Sequence, residues 1–122
     1  MNAEQFVEAI RLSVADSVIQ STPEMLSVPP GRKPAKQLMA SSQWYNSLDT
    51  QNKEQVMAVV AMAVHDAIFS FMCVLDGASV IDEAHSEFQL FSVNPLDGSK
   101  TQLSGLEDSD SLHELYKALD AE

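Results

Sequence analysis

An adjacent histidine and aspartate, His65 and Asp66, are the first residues of this 122-residue chain that could do chemistry. Such a pair can supply two ligands to a divalent metal ion, but a complete site needs further ligands that converge on the ion. A hydrolytic centre of this type has a histidine earlier in the chain, whereas His85 and His113 both follow the pair. We therefore interpret the pair as a polar spot on a helix, where a buried carboxylate would need a hydrogen-bond donor.

A second group of potential metal ligands lies on one short segment and comprises Asp82, Glu83, His85 and Glu87. Exposed carboxylates in an acidic chain are usually solvated, so we predict no metal and no cofactor. The single cysteine, Cys73, lies in an apolar run, where burial disfavours the reactive thiolate, and no Gly-x-Ser-x-Gly elbow is present. The sequence predicts no catalytic residue and no enzyme; a small enzyme that uses His65 and Asp66 is the weakest alternative.

Composition favours a protein-binding role. Seven Lys and Arg face 18 Asp and Glu, which gives a formal net charge of −11. This charge disfavours binding to nucleic acid or to an anionic membrane surface and favours a cationic partner. The length predicts a single domain, residues 1–122. One cysteine excludes an intrachain disulfide and is typical of a reducing compartment, and the N-terminus lacks a basic signal region, so we expect a cytoplasmic protein.

The charges are unevenly distributed along the chain. Residues 76–122 contain eleven acidic and two basic residues, a net charge of −9. Three of the seven cations, Arg32, Lys33 and Lys36, lie instead in a proline-rich segment that the prolines predict to be a loop. We expect this basic loop to neutralise a nearby acidic face of the same molecule, in preference to contacting an external anion.

Apolar spacing predicts three helices in the first part of the chain. The first covers residues 3–20 and ends at Thr22-Pro23, and the second covers residues 35–47. The third, residues 50–75, is apolar around most of its circumference, which predicts a central helix packed on several sides. An aspartate at its midpoint argues against a membrane span, at about 2.5–3.5 kcal/mol on insertion scales. Phe71 is then expected to be buried, and Phe71→Ala to cost about 3–5 kcal/mol.

The spacing of apolar residues changes from helical to alternating after this helix. Alternating residues over 88–93 and 100–104, with turn residues at 94–98, predict a β-hairpin, and a third short strand near residues 78–82 is an open alternative. Ser111 and Glu114 have the spacing of a capping box, which predicts a C-terminal helix. The expected fold class is helix-dominated α+β, with three N-terminal helices, a β-hairpin or three short strands, and a C-terminal helix.

Neighbouring aromatic residues, Trp44 and Tyr45, cannot point in the same direction from a helix. One should pack inward while the other lies near the surface, where an aromatic side chain is a favoured interface anchor; partial cover of both by the chain itself is the open alternative. We combine this pair with acidic residues of the C-terminal half as the predicted partner-binding set: Trp44, Tyr45, Asp82, Glu83, Glu87 and Asp97.

Residues 44–49 (WYNSLD), leading into the helix that ends with residues 71–77 (FMCVLDG), carry a family resemblance. In a small, acidic chain without a catalytic motif, this region resembles the immunity proteins that bacteria make against polymorphic toxins, including contact-dependent and type VI secretion effectors and nuclease bacteriocins. The resemblance implies tight binding to one basic cognate toxin or effector, with its active site or substrate groove blocked. Immunity folds are many and unrelated, so no family residue is carried over.

The chain is also similar to type III secretion chaperones in its size, acidity and expected location. Those chaperones resemble an arrangement of helix, three strands, helix, two strands and helix, and they form dimers. The three helices predicted here before the hairpin depart from that order. An effector-binding chaperone is therefore the alternative function, and the oligomeric state stays open at this point.

Overall fold

A computed structural model describes residues 1–107 and 109–121 of the chain. Helices dominate, and one two-stranded antiparallel sheet accompanies them, so the helix-dominated α+β class is confirmed. The elements are α1 (Ala3–Ile10), a π-helical segment (Arg11–Asp16), α2 (Ser17–Ser27), α3 (Lys36–Asn46), α4 (Thr50–Leu75), β1 (Phe91–Val93), β2 (Lys100–Gln102), α5 (Leu112–Ala118) and a final 3-10 turn (Leu119–Ala121). Four α-helices precede the hairpin, so the expected count of three is not confirmed.

The first helical region starts at a capping box and runs through the proline at which we expected it to end. The Asn2 side chain accepts from the Gln5 amide at 2.8 Å, and the Gln5 side chain accepts from the Asn2 amide at 2.9 Å. Pro23 lies inside α2, and the Thr22 hydroxyl donates to the Val18 carbonyl at 2.7 Å. A proline removes one amide donor and crowds the carbonyl four residues earlier, yet here the helix continues for a further turn to Ser27.

Both ends of α4 follow the sequence signals. The Asp49 side chain accepts from the Asn52 amide at 2.8 Å, which is an N-cap. At the other end Gly77 has a φ of +77°, and the Ala78 amide donates to the Cys73 carbonyl at 2.9 Å. This left-handed glycine ends the helix as predicted.

The interior of α4 does not follow the prediction. Met72 is its one buried residue, and the Phe71 side chain is 63% exposed. The helix is about 39 Å long at 1.5 Å per residue, and its neighbours α2, α5 and the π-helical segment each cover only part of it. The expectation of a central helix packed on several sides, with Phe71 in the core, is therefore wrong for the single chain.

By length and composition alone α4 could cross a membrane: its mean hydropathy over the best 18-residue window is 2.0, with 6% of that window buried. The hydrophobic core lies elsewhere, where α1 and α5 pack against the C-terminal end of α4. Its buried members are Val7, Met72, Leu112 and Tyr116. This small cluster is the main apolar contact between the N-terminal and C-terminal parts of the chain.

The predicted hairpin is present, and it is short. β1 and β2 pair antiparallel with Ser92 opposite Thr101, and the Leu103 amide extends the contact by donating to the Leu90 carbonyl at 2.8 Å. Residues 78–82 form bends and irregular chain, so the third strand considered there is not confirmed. Leu103 and Ser104, which follow β2 directly, are buried, so the chain enters the interior where the hairpin ends.

Candidate functional site

Asp82, one of the predicted partner-binding acids, lies in the loop that follows α4. Its carboxylate accepts hydrogen bonds from the Ser86 amide at 2.8 Å and from the Ser86 hydroxyl at 2.5 Å. These bonds, the hydroxyl first, lower the pKa of the Asp82 carboxyl below its usual value. The side chain is exposed, so the loop holds an ionised carboxylate in a fixed position at the surface.

Asp97, another of the predicted acids, lies in the hairpin turn, and a nearby serine holds its carboxylate in the same way as that of Asp82. Its carboxylate accepts from the Ser99 amide at 2.9 Å, and hydrogen bonds from Ser99 lower the pKa of the Asp97 carboxyl. The Asn94 side chain accepts from the Leu96 amide at 2.9 Å in the same turn. Two short polar side chains thus fix the turn and leave the Asp97 carboxylate ionised and exposed.

The remaining two acids of the predicted set, Glu83 and Glu87, are also exposed. Within residues 1–107 and 109–121, the ion pairs are those of Arg11 with Asp16 and Asp120 and that of His113 with Asp76. All four predicted acids therefore face solvent without a cationic partner in the described chain. None of these ion pairs involves Arg32, Lys33 or Lys36. The expected neutralisation of an acidic face by this basic loop is therefore not seen.

The two aromatic residues divide as predicted. Tyr45 is 4% exposed, with the Lys53 ammonium 5.3 Å from the centre of its ring, whereas Trp44 is 56% exposed. Trp44 borders an apolar groove of about 420 Å³ together with Leu48 and with Val56, Val59 and Val60 of α4. Of the pair, Trp44 is therefore the residue that is open to a partner.

The structure separates Trp44 from the acidic residues. The Trp44 groove includes Val59, whereas the acidic loop begins after Leu75, at the other end of α4. Sixteen residues of helix correspond to about 24 Å. The predicted set consequently does not form a single surface.

Asp76 is the polar residue that sequence reasoning missed. Its side chain is 3% exposed and accepts from the amides of Leu112 at 3.1 Å and His113 at 2.9 Å, while its carboxylate lies 2.6 Å from His113 Nδ1. Asp76 thus caps α5 from a position 36 residues earlier in the chain. Ser111 makes no side-chain capping bond, so the predicted capping box is not formed. A capping pattern in the sequence considers only neighbouring residues and cannot indicate a distant carboxylate.

His65 and Asp66 line a small polar recess of about 210 Å³ with Tyr116 and Asp120. His65 Nδ1 is 2.8 Å from the Tyr116 hydroxyl, and Arg11 lies 5.8 Å above the Tyr116 ring. Burial raises the pKa of the Tyr116 phenol, and the nearby Arg11 charge opposes that shift. Asp66 is exposed. In the described part of the chain, no three His, Cys, Asp or Glu residues are arranged to hold a metal ion.

A second apolar groove, of about 370 Å³, lies between the first helical region and the C-terminal half of α4. Its walls include Phe6 and Val14 on one side and Ala67 and Phe71 on the other. Sequence reasoning assigned such residues to a closed core, because amphipathic spacing identifies an apolar face without identifying what covers it.

Comparison of the chain with protein-family models, with curated proteins and with solved structures finds no match. The acidic loops after α4 and the apolar grooves along it are the features of the molecule that indicate a function.

Proposed function

We propose that this chain is a non-catalytic binding protein that neutralises a cognate bacterial toxin or effector, using an acidic surface formed by the loops after α4. The observation that carries the proposal is the set of four exposed carboxylates, Asp82, Glu83, Glu87 and Asp97, none of which is ion-paired within the described residues. Two of them are fixed by hydrogen bonds from Ser86 and Ser99. Fixed charges lose less freedom on binding than mobile ones.

Long-range electrostatics support the same role. The net charge of −9 over residues 76–122 attracts a basic partner and increases its rate of encounter, typically by a factor of about 10 to 1,000 at low salt. Such a surface suits an inhibitor that must reach its toxin before the toxin reaches its target. A basic toxin domain, for example one that binds nucleic acid, has the complementary charge.

Trp44 is not part of the proposed toxin contact. It lies about 24 Å along α4 from the start of the acidic loop, and its surroundings are apolar rather than charged. The toxin contact proposed here depends on the carboxylates alone.

The first experiment is capture of the partner by the tagged full-length chain from its native host, followed by mass spectrometry. We expect one stoichiometric partner with a basic C-terminal domain that is toxic when expressed alone and tolerated when this chain is expressed with it. A captured partner whose expression is harmless, or whose toxicity this chain does not relieve, would contradict the proposal.

The acidic surface is then tested with the double variant Glu83→Lys/Glu87→Lys. Both side chains are exposed, so the fold should be retained, while the association rate should fall at least tenfold at low salt and depend less on salt. Glu24→Lys/Glu54→Lys is the matched control, because it changes the net charge equally at exposed positions outside the acidic loops. Equal losses in the two variants would show that net charge, and not this surface, directs binding.

An effector chaperone is the alternative, and the two open apolar grooves favour it because chaperones bind extended apolar segments of their effectors. The same capture experiment separates the two functions. A chaperone would hold the N-terminal segment of its partner and would not protect cells from a toxic C-terminal domain.

A further inference from the structure

The single chain exposes far more surface than a folded monomer of its mass. Folded monomers follow a scaling rule that gives about 6,500 Å² for a protein of 13.3 kDa. The described chain exposes 8744 Å², an excess of about 2,200 Å² over that rule. This excess includes large apolar side chains, among them Val59, Met62 and Phe71 of α4.

Five apolar residues of α4 that are exposed or half-buried form one continuous stripe. Val56, Val60, Ala63, Ala67 and Phe71 follow one another at three- and four-residue intervals, so they share one face of the helix. Val56 and Val60 line the groove beside Trp44, while Ala67 and Phe71 line the groove at the other end. The stripe therefore connects the two grooves over about 22 Å of helix.

A second copy of this chain is the occupant that fits this stripe. A stable specific interface buries about 1,200–2,000 Å² in total, and two chains with an excess of about 2,200 Å² each expose enough surface to supply it. Asp66 is the only charged residue of α4 beyond Glu54. Two copies that each carry a net charge of −11 therefore meet with the least repulsion along this face.

We infer that the chain forms a two-fold homodimer in which the α4 stripes pack antiparallel, with the axis between Ala63 and Val64. Positions equally distant from that axis face each other, so Val60 meets Ala67 and Val56 meets Phe71 of the other copy. Each exposed Phe71 ring then enters the groove beside Trp44 of the other copy, and the contact is reciprocal, as two-fold symmetry requires. The alanines nearest the axis allow the helices to approach closely.

The antiparallel direction also suits the distribution of charge. It brings the acidic loop of one copy toward the N-terminal end of the other copy's α4, where Lys53 lies. A parallel pair would place the two acidic loops side by side, where like charges repel.

Sedimentation or light scattering of the full-length chain over a concentration series tests the dimer. We expect a dimer at micromolar concentration and a loss of dimer affinity of about 100-fold or more in Phe71→Glu, because a buried aromatic anchor is lost at both symmetric sites. Leu96→Glu is the matched control: Leu96 is 95% exposed in the hairpin turn and should leave the dimer unchanged. A monomeric wild type, or a Phe71→Glu variant that dimerises normally, would overturn the inference.

Cross-linking tests the direction of packing. In a Cys73→Ser background, a mixture of Val56→Cys and Phe71→Cys chains should be joined by a short bis-maleimide into a mixed dimer, while each variant alone should not cross-link. Efficient linking of each variant to itself, with no mixed product, would mean a parallel arrangement and overturn the inference.

Sedimentation with neutral phosphatidylcholine vesicles addresses a membrane as the competing occupant. The dimer should remain in the supernatant, and a wild-type monomer that sediments with vesicles through α4 would overturn the inference. The outcome is independent of the proposed function, because Glu83→Lys/Glu87→Lys leaves the stripe intact and Phe71→Glu leaves the acidic loops intact.

Discussion

The two parts of α4 differ in what covers them. Near its C-terminal end, Met72 is buried against Val7, Leu112 and Tyr116. Over the preceding turns, residues of similar hydrophobicity such as Val59 and Met62 are at least half exposed. The helix is therefore apolar for two reasons: its end belongs to the core of the chain, and its middle carries most of the stripe that a second copy would cover in the inferred dimer.

Polar contacts reinforce the difference. The closed part contains hydrogen bonds between residues distant in sequence: Asp76 with α5, His65 with Tyr116, and Arg11 with Asp120 across 109 positions. The stripe of Val56, Val60, Ala63, Ala67 and Phe71 consists of apolar side chains alone. Polar contacts within the chain itself order the closed part. The apolar stripe lacks such contacts, so its order depends on the molecule that packs against it.

The largest expected effect compares one aromatic residue of the core with one of the apolar stripe. Tyr116 is 1% exposed in the core, so Tyr116→Ala should lower the free energy of unfolding by about 3–5 kcal/mol. Phe71→Ala, at a concentration where the chain is monomeric, should cost less than about 1 kcal/mol, because that ring is mostly in water. Urea denaturation monitored by circular dichroism measures both. Equal costs in dilute solution would remove the distinction between the two parts.

A smaller effect is expected from the cap of α5. Asp76→Ala removes the acceptor of two backbone amides and of the His113 ring, and should cost about 1–3 kcal/mol, since the donors are left partly buried without partners. Ser111→Ala changes the residue at the N-cap position, which makes no capping bond, and should cost less than about 0.5 kcal/mol. The reverse order, measured by the same denaturation, would mean that Ser111 caps α5 in solution.

Local signals explain which elements could be predicted from the sequence. The N-cap at Asp49, the left-handed Gly77 and the turn chemistry of residues 94–98 each depend on neighbours in the chain, and each is present. The helical continuation through Pro23 was not predicted, because a proline inside a helix depends on whether nearby groups satisfy the backbone.

Long-range features of the candidate site could not be predicted in the same way. That one of Trp44 and Tyr45 is buried and the other exposed follows from their adjacency on one helix and was predicted correctly, whereas which of the two faces inward was not predicted. The pairing of His65 with Tyr116 joins residues 51 positions apart, and no spacing rule connects them. The apolar stripe was recognised as apolar and assigned to the wrong role, because hydrophobicity identifies a face that must be covered without showing whether the cover comes from the same chain.

The smallest expected effect concerns alkaline pH. Burial raises the pKa of the Tyr116 phenol above its usual value of 10.0 and that of the Cys73 thiol above 9.0. Above those usual values the folded chain holds more protons than the unfolded chain, so the free energy of unfolding should fall as pH rises. Below them, both states are protonated and the stabilisation is fully present.

Two variants isolate the Tyr116 contribution to this decline. Tyr116→Phe and His65→Ala both remove the His65–Tyr116 hydrogen bond, which should cost each variant about 0.5–1.5 kcal/mol at neutral pH. Only Tyr116→Phe also removes the phenol, so its alkaline decline should be shallower than that of the wild type, while His65→Ala should keep the full decline. Denaturation between neutral pH and pH values above 10.0 measures both slopes. Equal slopes in the two variants would mean that the Tyr116 phenol is as accessible to water in the folded chain as in the unfolded one, and that this core is less closed than its packing indicates.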